Sequence, residues 1–223
     1  MSSKGYREIS FILPENETND PREIPTLKIY EILDSGFGCH LWPASIYLAD
    51  YLWRERAELV GRSIVELGAG CGLAGLVCAK LGASSILTDH PNNTLVLANC
   101  IKNVNVNQLE ACCQVKSLAW GRFTKDILEL PKIDYIIGSD TFYDRKDFEP
   151  LLATVAFLIE QNPDAVFLTA YQERSTKRTI QPLLDYWGLT GHLIDPEIPT
   201  AIKLDGKLFD PDYPIYLFQI YRQ

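Results

Sequence analysis

The chain has 223 residues, 47% of them hydrophobic and 11% aromatic, which suffices for one well-filled core and is short for two catalytic domains. A formal net charge of −8 excludes nonspecific binding to nucleic acid, whose phosphates demand a basic surface, and suits a protein partner with a basic segment. Six cysteines show no Cys-x-x-Cys pair and no metal-ligand spacing with histidine, so reduced, mostly buried thiols are expected and neither a zinc site nor a disulfide framework.

In chain order, the first 38 residues read as an appendage. Residues 9–13 and 27–32 are strand-like, and the proline-bearing loop between them predicts a β-hairpin. A domain over 39–223 follows. Pro43 suits the first turn of a helix that carries apolar residues at 44, 47, 48, 51 and 52. Ser63-Ile64-Val65 starts a strand, Gly68 to Gly72 form a turn, and residues 73–80 read as a helix ending at Leu81-Gly82. A strand over 85–88 ends in Asp89. Pro91-Asn92 opens a helix with Leu97, Ala98, Ile101 and Val104 on one face. Strands are predicted over 113–120 and 133–139, the latter nearly continuously apolar and so central. A helical stripe from Phe148 to Ile159, a strand over 165–170, a helix over 176–187 interrupted by Pro182, and strands over 191–194 and 215–221 complete the pattern. The fold class is therefore α/β: a Rossmann-like, seven-stranded, mostly parallel twisted sheet with helices on both faces, plus the N-terminal hairpin. No run of about 18 apolar residues and no apolar signal core occurs, so a cytoplasmic or nuclear monomer, bound to neither membrane nor nucleic acid, is expected.

The turn after the first sheet strand, Glu66-Leu-Gly68-Ala69-Gly70-Cys-Gly72, lets bare amides approach a ligand where a Cβ would collide. Asp89, 23 residues beyond Glu66, stands at the next strand end, where a carboxylate accepts both hydroxyls of a ribose. Gly70-x-Gly72-x-x-Gly75 also fits a dinucleotide pattern. Glu66 argues against that, because a carboxylate beside the turn repels a pyrophosphate and welcomes a cofactor with an ammonium and a sulfonium, as in S-adenosylmethionine. A nicotinamide oxidoreductase and a noncatalytic cofactor-binding scaffold remain as alternatives. Trp42 and Trp120 read equally as walls of an adenosyl pocket and as core residues capping the sheet. Asp140 and Tyr143, directly after a buried strand, place a carboxylate and a phenol at the mouth of the same crevice.

Glu-Leu-Gly-Ala-Gly-Cys-Gly-Leu at 66–73, Thr88-Asp89, Trp42-Pro43, Trp120-Gly121 and Ser139-Asp140-x-x-Tyr143 together resemble the seven-β-strand methyltransferases, specifically the methyltransferase-like family 16 group that modifies protein side chains. Leu41-Trp42-Pro43, Tyr51-Leu-Trp53, Asp147-Phe-Glu149 and Thr169-Ala-Tyr171-Gln are most similar to the methyltransferase-like protein 23 branch of that group. The resemblance implies that Gly68, Ala69 and Gly70 hold the methionine part of S-adenosylmethionine, Asp89 its ribose, and Ser139 the adenine side. It also implies that Trp42 and Trp120 line the pocket and that Asp140 and Tyr143 stand beside the entering substrate. Transfer to a lysine or arginine of a histone- or chaperone-type protein is the implied reaction. A small-molecule acceptor remains open, since no residue pattern displays a peptide groove.

Overall fold

The computed structural model describes residues 5–12, 26–32, 37–173, 179–194 and 201–222. Eleven strands and seven helices form among them: β1 (Arg7–Phe11), β2 (Thr26–Ile29), α1 (Pro43–Arg54), α2 (Arg56–Leu59), β3 (Ser63–Leu67), α3 (Leu73–Lys80), β4 (Ser84–Asp89), α4 (Thr94–Val106), β5 (Cys113–Ser117), α5 (Lys125–Leu128), β6 (Tyr135–Ser139), α6 (Phe148–Gln161), β7 (Val166–Gln172), α7 (Gln181–Trp187), β8 (Leu189–Ile194), β9 (Ile202–Leu204), β10 (Lys207–Leu208) and β11 (Ile215–Arg222). The main sheet has the order β5-β4-β3-β6-β7-β11-β8. Its first five strands run parallel, and β11 is antiparallel to both neighbours. Strand order reverses between β3 and β6, which is where an open α/β sheet leaves a crevice at its carboxyl edge.

Strand alternation assigns side chains to the two faces. Val65, Leu67, Ile136 and Phe167 face α6 and α7, whereas Ile64, Leu168 and Ala170 face α1 and α3. Helix α3 is buried almost all round, from Leu73 to Ala79, as its lack of polar residues requires.

The expected hairpin forms, with Ile9 opposite Leu27, but it is one half of a four-stranded sheet in which β2 is an edge. β9 and β10, from the far end of the chain, complete that sheet, with Phe11 opposite Ile202. Ile9, Leu27 and Ile29 are fully buried in the same cluster as α1 and α3, so the hairpin shares the main core. Trp53 ties the two layers, packing on Phe11 at 4.9 Å and donating its indole N–H to the Ile12 carbonyl.

Helix α4 departs from the sequence expectation. Its inward face is not Leu97, Ala98 and Ile101; Ala98 and Ile101 are exposed, and the buried face reads Val96, Asn99, Cys100, Asn103 and Val104. Asn103 and Asn107, four residues apart, act on β2 as a neighbouring strand would. The Asn103 amide oxygen accepts the Tyr30 N–H at 2.8 Å and its NH2 donates to the Tyr30 carbonyl, while Asn107 makes the same pair of bonds to Lys28 at 2.9 and 2.8 Å. Three buried polar side chains outweigh the apolar stripe here because they satisfy an otherwise bare strand edge.

Other boundaries shift for local reasons. Residues 90–93 form a turn because Asn93 is drawn to Asp89, so α4 starts at Thr94. Pro182 opens α7 rather than interrupting it, since a helix tolerates proline in its first turn; the predicted start at 176 lies outside the described residues. All six cysteines are free thiols and five are buried, as expected.

Asn103→Ala leaves the Tyr30 amide and the Cys71 carbonyl without this partner, at about 2–4 kcal/mol in total. A fall in Tm of roughly 5–15 °C in a thermal melt is the expected outcome, and an unchanged Tm contradicts it.

Candidate active site

Five chain segments converge on the carboxyl edge of β3. Gly68, Gly70 and Gly72 all have left-handed backbones, with φ of 66°, 56° and 78°. At all three a side chain would also crowd its neighbours, at Gly72 the Leu87 methyl at 2.7 Å. A Cβ at Gly68 would stand 2.9 Å from the Trp120 ring and 3.5 Å from the Thr141 methyl, and one at Gly70 would stand 3.0 Å from the Gly38 carbonyl oxygen. The turn is therefore covered by Trp120 on one side and by the segment Phe37–Cys39 on the other.

The turn is held from below by the neighbouring strand β4 and by α4. The Ala69 amide donates to the Thr88 carbonyl and the Gly72 amide to the Ala69 carbonyl. Cys100 Sγ donates to the Gly70 carbonyl at 2.8 Å, and the Asn103 NH2 to the Cys71 carbonyl at 3.0 Å. Asp89 closes the loop from the next strand end: Oδ2 accepts the Gly70 N–H, and Oδ1 accepts the His90 N–H and the Asn93 NH2. A carboxylate has about four acceptor sites, so capacity remains for a ligand hydroxyl.

Glu66 differs from its expected role. Alternation puts it on the α3 side of the sheet, 1% exposed, where Oε2 accepts the Gly75 N–H at 2.9 Å in the first turn of α3. Gly72 has no side chain to cap that helix, and Glu66 supplies the cap from β3. Burial pushes its carboxyl up to about 8, outweighing the Gly75 hydrogen bond that lowers it, and the nearby Asp89 charge adds to the rise. At neutral pH the group is thus mostly an uncharged acid beneath the turn, not an anion in the crevice.

Trp120 is positioned by the residue after it. Gly121, with φ 70°, packs against Pro150 at the start of α6 and donates its N–H to Thr154 Oγ1 at 2.8 Å. Ser139 ends β6 half-buried opposite Ala170. Asp140 follows with φ 55°, one of three non-glycine residues in the left-handed region among those described. It is 7% exposed and its N–H donates to the Ala170 carbonyl at 2.7 Å. Such a backbone costs on the order of 1 kcal/mol and concentrates at functional sites. Tyr143 is 50% exposed; its phenol is raised by burial first and then by the Asp147 and Asp89 charges, so it remains a protonated donor within reach of the Asp89 field. Trp42 stands at the start of α1 with His40 edge-on at 5.0 Å, and His40 pairs with Glu31 at 3.0 Å.

Gly68, Ala69, Gly70, Asp89, Trp120, Ser139, Asp140 and Tyr143 thus stand at or just past the carboxyl ends of β3, β4, β5 and β6, with Gly68 against Trp120 and Gly70 hydrogen-bonded to Asp89; Trp42 flanks the covering segment, and Glu66 lies inside. Residue-type reasoning missed Gly38, Cys100 and Asn103. Gly38 carried a signal, a glycine shortly before Trp42-Pro43, whereas the other two are identifiable only from the fold. A turn whose amides no Cβ can approach, beside a carboxylate with spare acceptors and an aromatic wall, fits an adenosyl cofactor without phosphate.

Gly70→Ala forces a Cβ against the Gly38 carbonyl at a left-handed φ. At least a tenfold loss of S-adenosylhomocysteine affinity in calorimetry is expected, with the circular dichroism spectrum retained. For Glu66, the folded carboxyl titrates near 8 against 4.5 for a free one. Its neutral form therefore contributes stability that is complete below about 4.5 and is lost as pH rises through 8. Glu66→Gln removes this titration, so its Tm relative to the unsubstituted protein should be higher at pH 8.5 than at pH 5; parallel curves contradict it.

The family described as lysine methyltransferase matches residues 21–181. The chain is 39% identical over 185 residues to a histone-arginine methyltransferase METTL23 of Xenopus laevis, covering 83% of this chain and 77% of that one. It is also 39% identical over 150 residues to the Homo sapiens protein of that name, covering 67% and 78%, and 32% identical over 152 residues to a protein N-lysine methyltransferase METTL21A of Danio rerio, covering 62% and 69%. Among solved structures, the glycopeptide N-methyltransferase MtfA complexed with S-adenosylmethionine superposes with a TM-score of 0.56 at 14% identity, covering 81% of this chain and 94% of that one, a likeness of fold. With the glycine turn, Asp89 and the strand order in agreement, the chain belongs to the lysine methyltransferase family numbered 16, a group of S-adenosylmethionine-dependent methyltransferases.

Proposed function

We propose that the protein transfers a methyl group to a side-chain nitrogen of arginine or lysine in a protein substrate with a basic segment. The observation that carries this reading is Asp140. It is a carboxylate held in a left-handed backbone between the glycine turn and Tyr143, at the one edge of the sheet where the cofactor and an acceptor can meet. Asp144, Asp147 and Glu149 follow it together with Arg145 and Lys146, and Lys146 pairs with Asp144 at 2.9 Å, so Asp140 itself supplies the negative charge at the site. Relatives named as histone-arginine and protein N-lysine methyltransferases support a cationic protein side chain as acceptor. The higher identity lies with those named for arginine, so arginine is the first acceptor to test.

When bound, S-adenosylmethionine supplies a methyl group on a cationic sulfur. The work left to the chain is to bring a nitrogen lone pair into line with it. A lysine ammonium must first lose its proton, at about 4–5 kcal/mol at pH 7, and a guanidinium must be polarised while charged. Asp140 meets the second need: it orients and polarises a guanidinium that stays charged, and at 7% exposure its field is little screened by water, whereas the same field would hold a lysine ammonium protonated. Tyr143 offers a phenolic donor and half of its ring as a wall. Trp120, pinned through Gly121, excludes water from the turn side.

Asparagine tolerates the left-handed region as aspartate does, so Asp140→Asn removes the charge and keeps the backbone. Assayed with core histones and tritiated S-adenosylmethionine, it should lower kcat at least about 100-fold, within the range of a lost catalytic group, while S-adenosylhomocysteine affinity stays within about twofold. Equal loss of turnover and affinity assigns Asp140 a structural role instead.

A further inference from the structure

A second cavity, of about 270 Å3, opens beside this site on the α6 and α7 face of the sheet. Phe142 and Phe148 form one wall, meeting edge-on with centroids 5.3 Å apart, and Tyr171, Phe218, Ile220 and Leu184 form the others. None of its described lining residues carries a charge. It is too small for a nucleoside cofactor and of a size for one large side chain. Thr169, 1% exposed, also lies in the lining.

The cavity is continuous with the acceptor site through the chain itself. Asp140 and Tyr143 border the crevice, and Phe142 between them is turned inward, 4% exposed, and lines the cavity. A polypeptide that brings one side chain to Asp140 has the cavity within reach of a residue a few positions away, at about 3.3–3.6 Å per extended residue. We infer that this cavity is a recognition pocket for a large, mainly apolar side chain of the substrate polypeptide, at a fixed offset from the methylated residue. The inference rests on the protein-methyltransferase reading. It divides recognition between the two sites: Asp140 takes the basic acceptor, and the aromatic pocket sets which basic residue is presented.

The test uses peptide libraries with a central arginine or lysine, randomised flanks and tritiated S-adenosylmethionine. The unsubstituted protein should select leucine, methionine, phenylalanine or tyrosine at one offset. Thr179→Trp, at the exposed rim, and Gly191→Val, from the opposite wall, fill the pocket. Both should abolish the selection and raise KM for the preferred peptide at least tenfold, with kcat within about threefold and S-adenosylhomocysteine affinity unchanged. Absence of selection, or selection that survives both variants, overturns the inference. Should no peptide be labelled while S-adenosylhomocysteine still binds, the protein-acceptor reading itself fails. Ligand-observed NMR with N-acetyltyrosinamide then decides the pocket: saturable binding to the unsubstituted protein and not to Thr179→Trp retains an apolar side-chain site, and no binding removes it.

Discussion

The polar grip of α4 on the glycine turn is the constraint on which the rest of the site depends. A turn with three left-handed glycines has only the short Ala69 and Cys71 side chains to hold it, and its carbonyls would otherwise need water. Cys100 and Asn103 take the Gly70 and Cys71 carbonyls, so the turn keeps its left-handed path beside Asp89. The same Asn103, with Asn99 and Asn107, holds β2 through its backbone. One helix face therefore sets both the floor of the cofactor site and the position of the N-terminal sheet.

That coupling gives the N-terminal region a role in the site. Glu31, just past β2, accepts the Leu41 N–H, pairs with His40 at 3.0 Å and lies 3.5 Å from Arg7. Arg7 in turn pairs with Asp205, on the turn joining β9 to β10. A chain of polar contacts thus runs from the C-terminal hairpin through β1 to the segment whose Gly38 carbonyl covers Gly70. Individually such half-exposed pairs contribute little. Together they fix the height at which the covering segment sits above the turn.

Glu66 shows how magnitude decides between two plausible roles. Proximity to a cationic cofactor favours an ionised carboxylate, and so does the first turn of α3. Full burial opposes both and prevails, which makes the residue a neutral cap that organises the turn from beneath. Asp89, with similar surroundings but at the strand end, keeps its oxygens at the crevice.

Local pattern alone determined much of this protein. Apolar runs punctuated by Gly, Pro and Asn marked the seven strands of the main sheet, because a strand buried on both faces has few polar residues to obscure it. The motifs around Gly68, Asp89, Trp120 and Asp140 were legible because each sits at a strand end, where a required backbone shape or charge shows as a residue type. Period-two alternation also placed Glu66 on the α3 face, a consequence open to sequence reasoning. The inward face of α4, the completion of the hairpin by β9 and β10, the Gly38 cover and the aromatic pocket were decided by tertiary structure. Each joins residues more than 30 positions apart, as Tyr30 with Asn103 or Phe142 with Phe218, and their chemistry takes meaning from the partner that folding brings near. An asparagine stripe on a helix is a weak propensity in isolation and becomes a strand's edge once β2 lies against it.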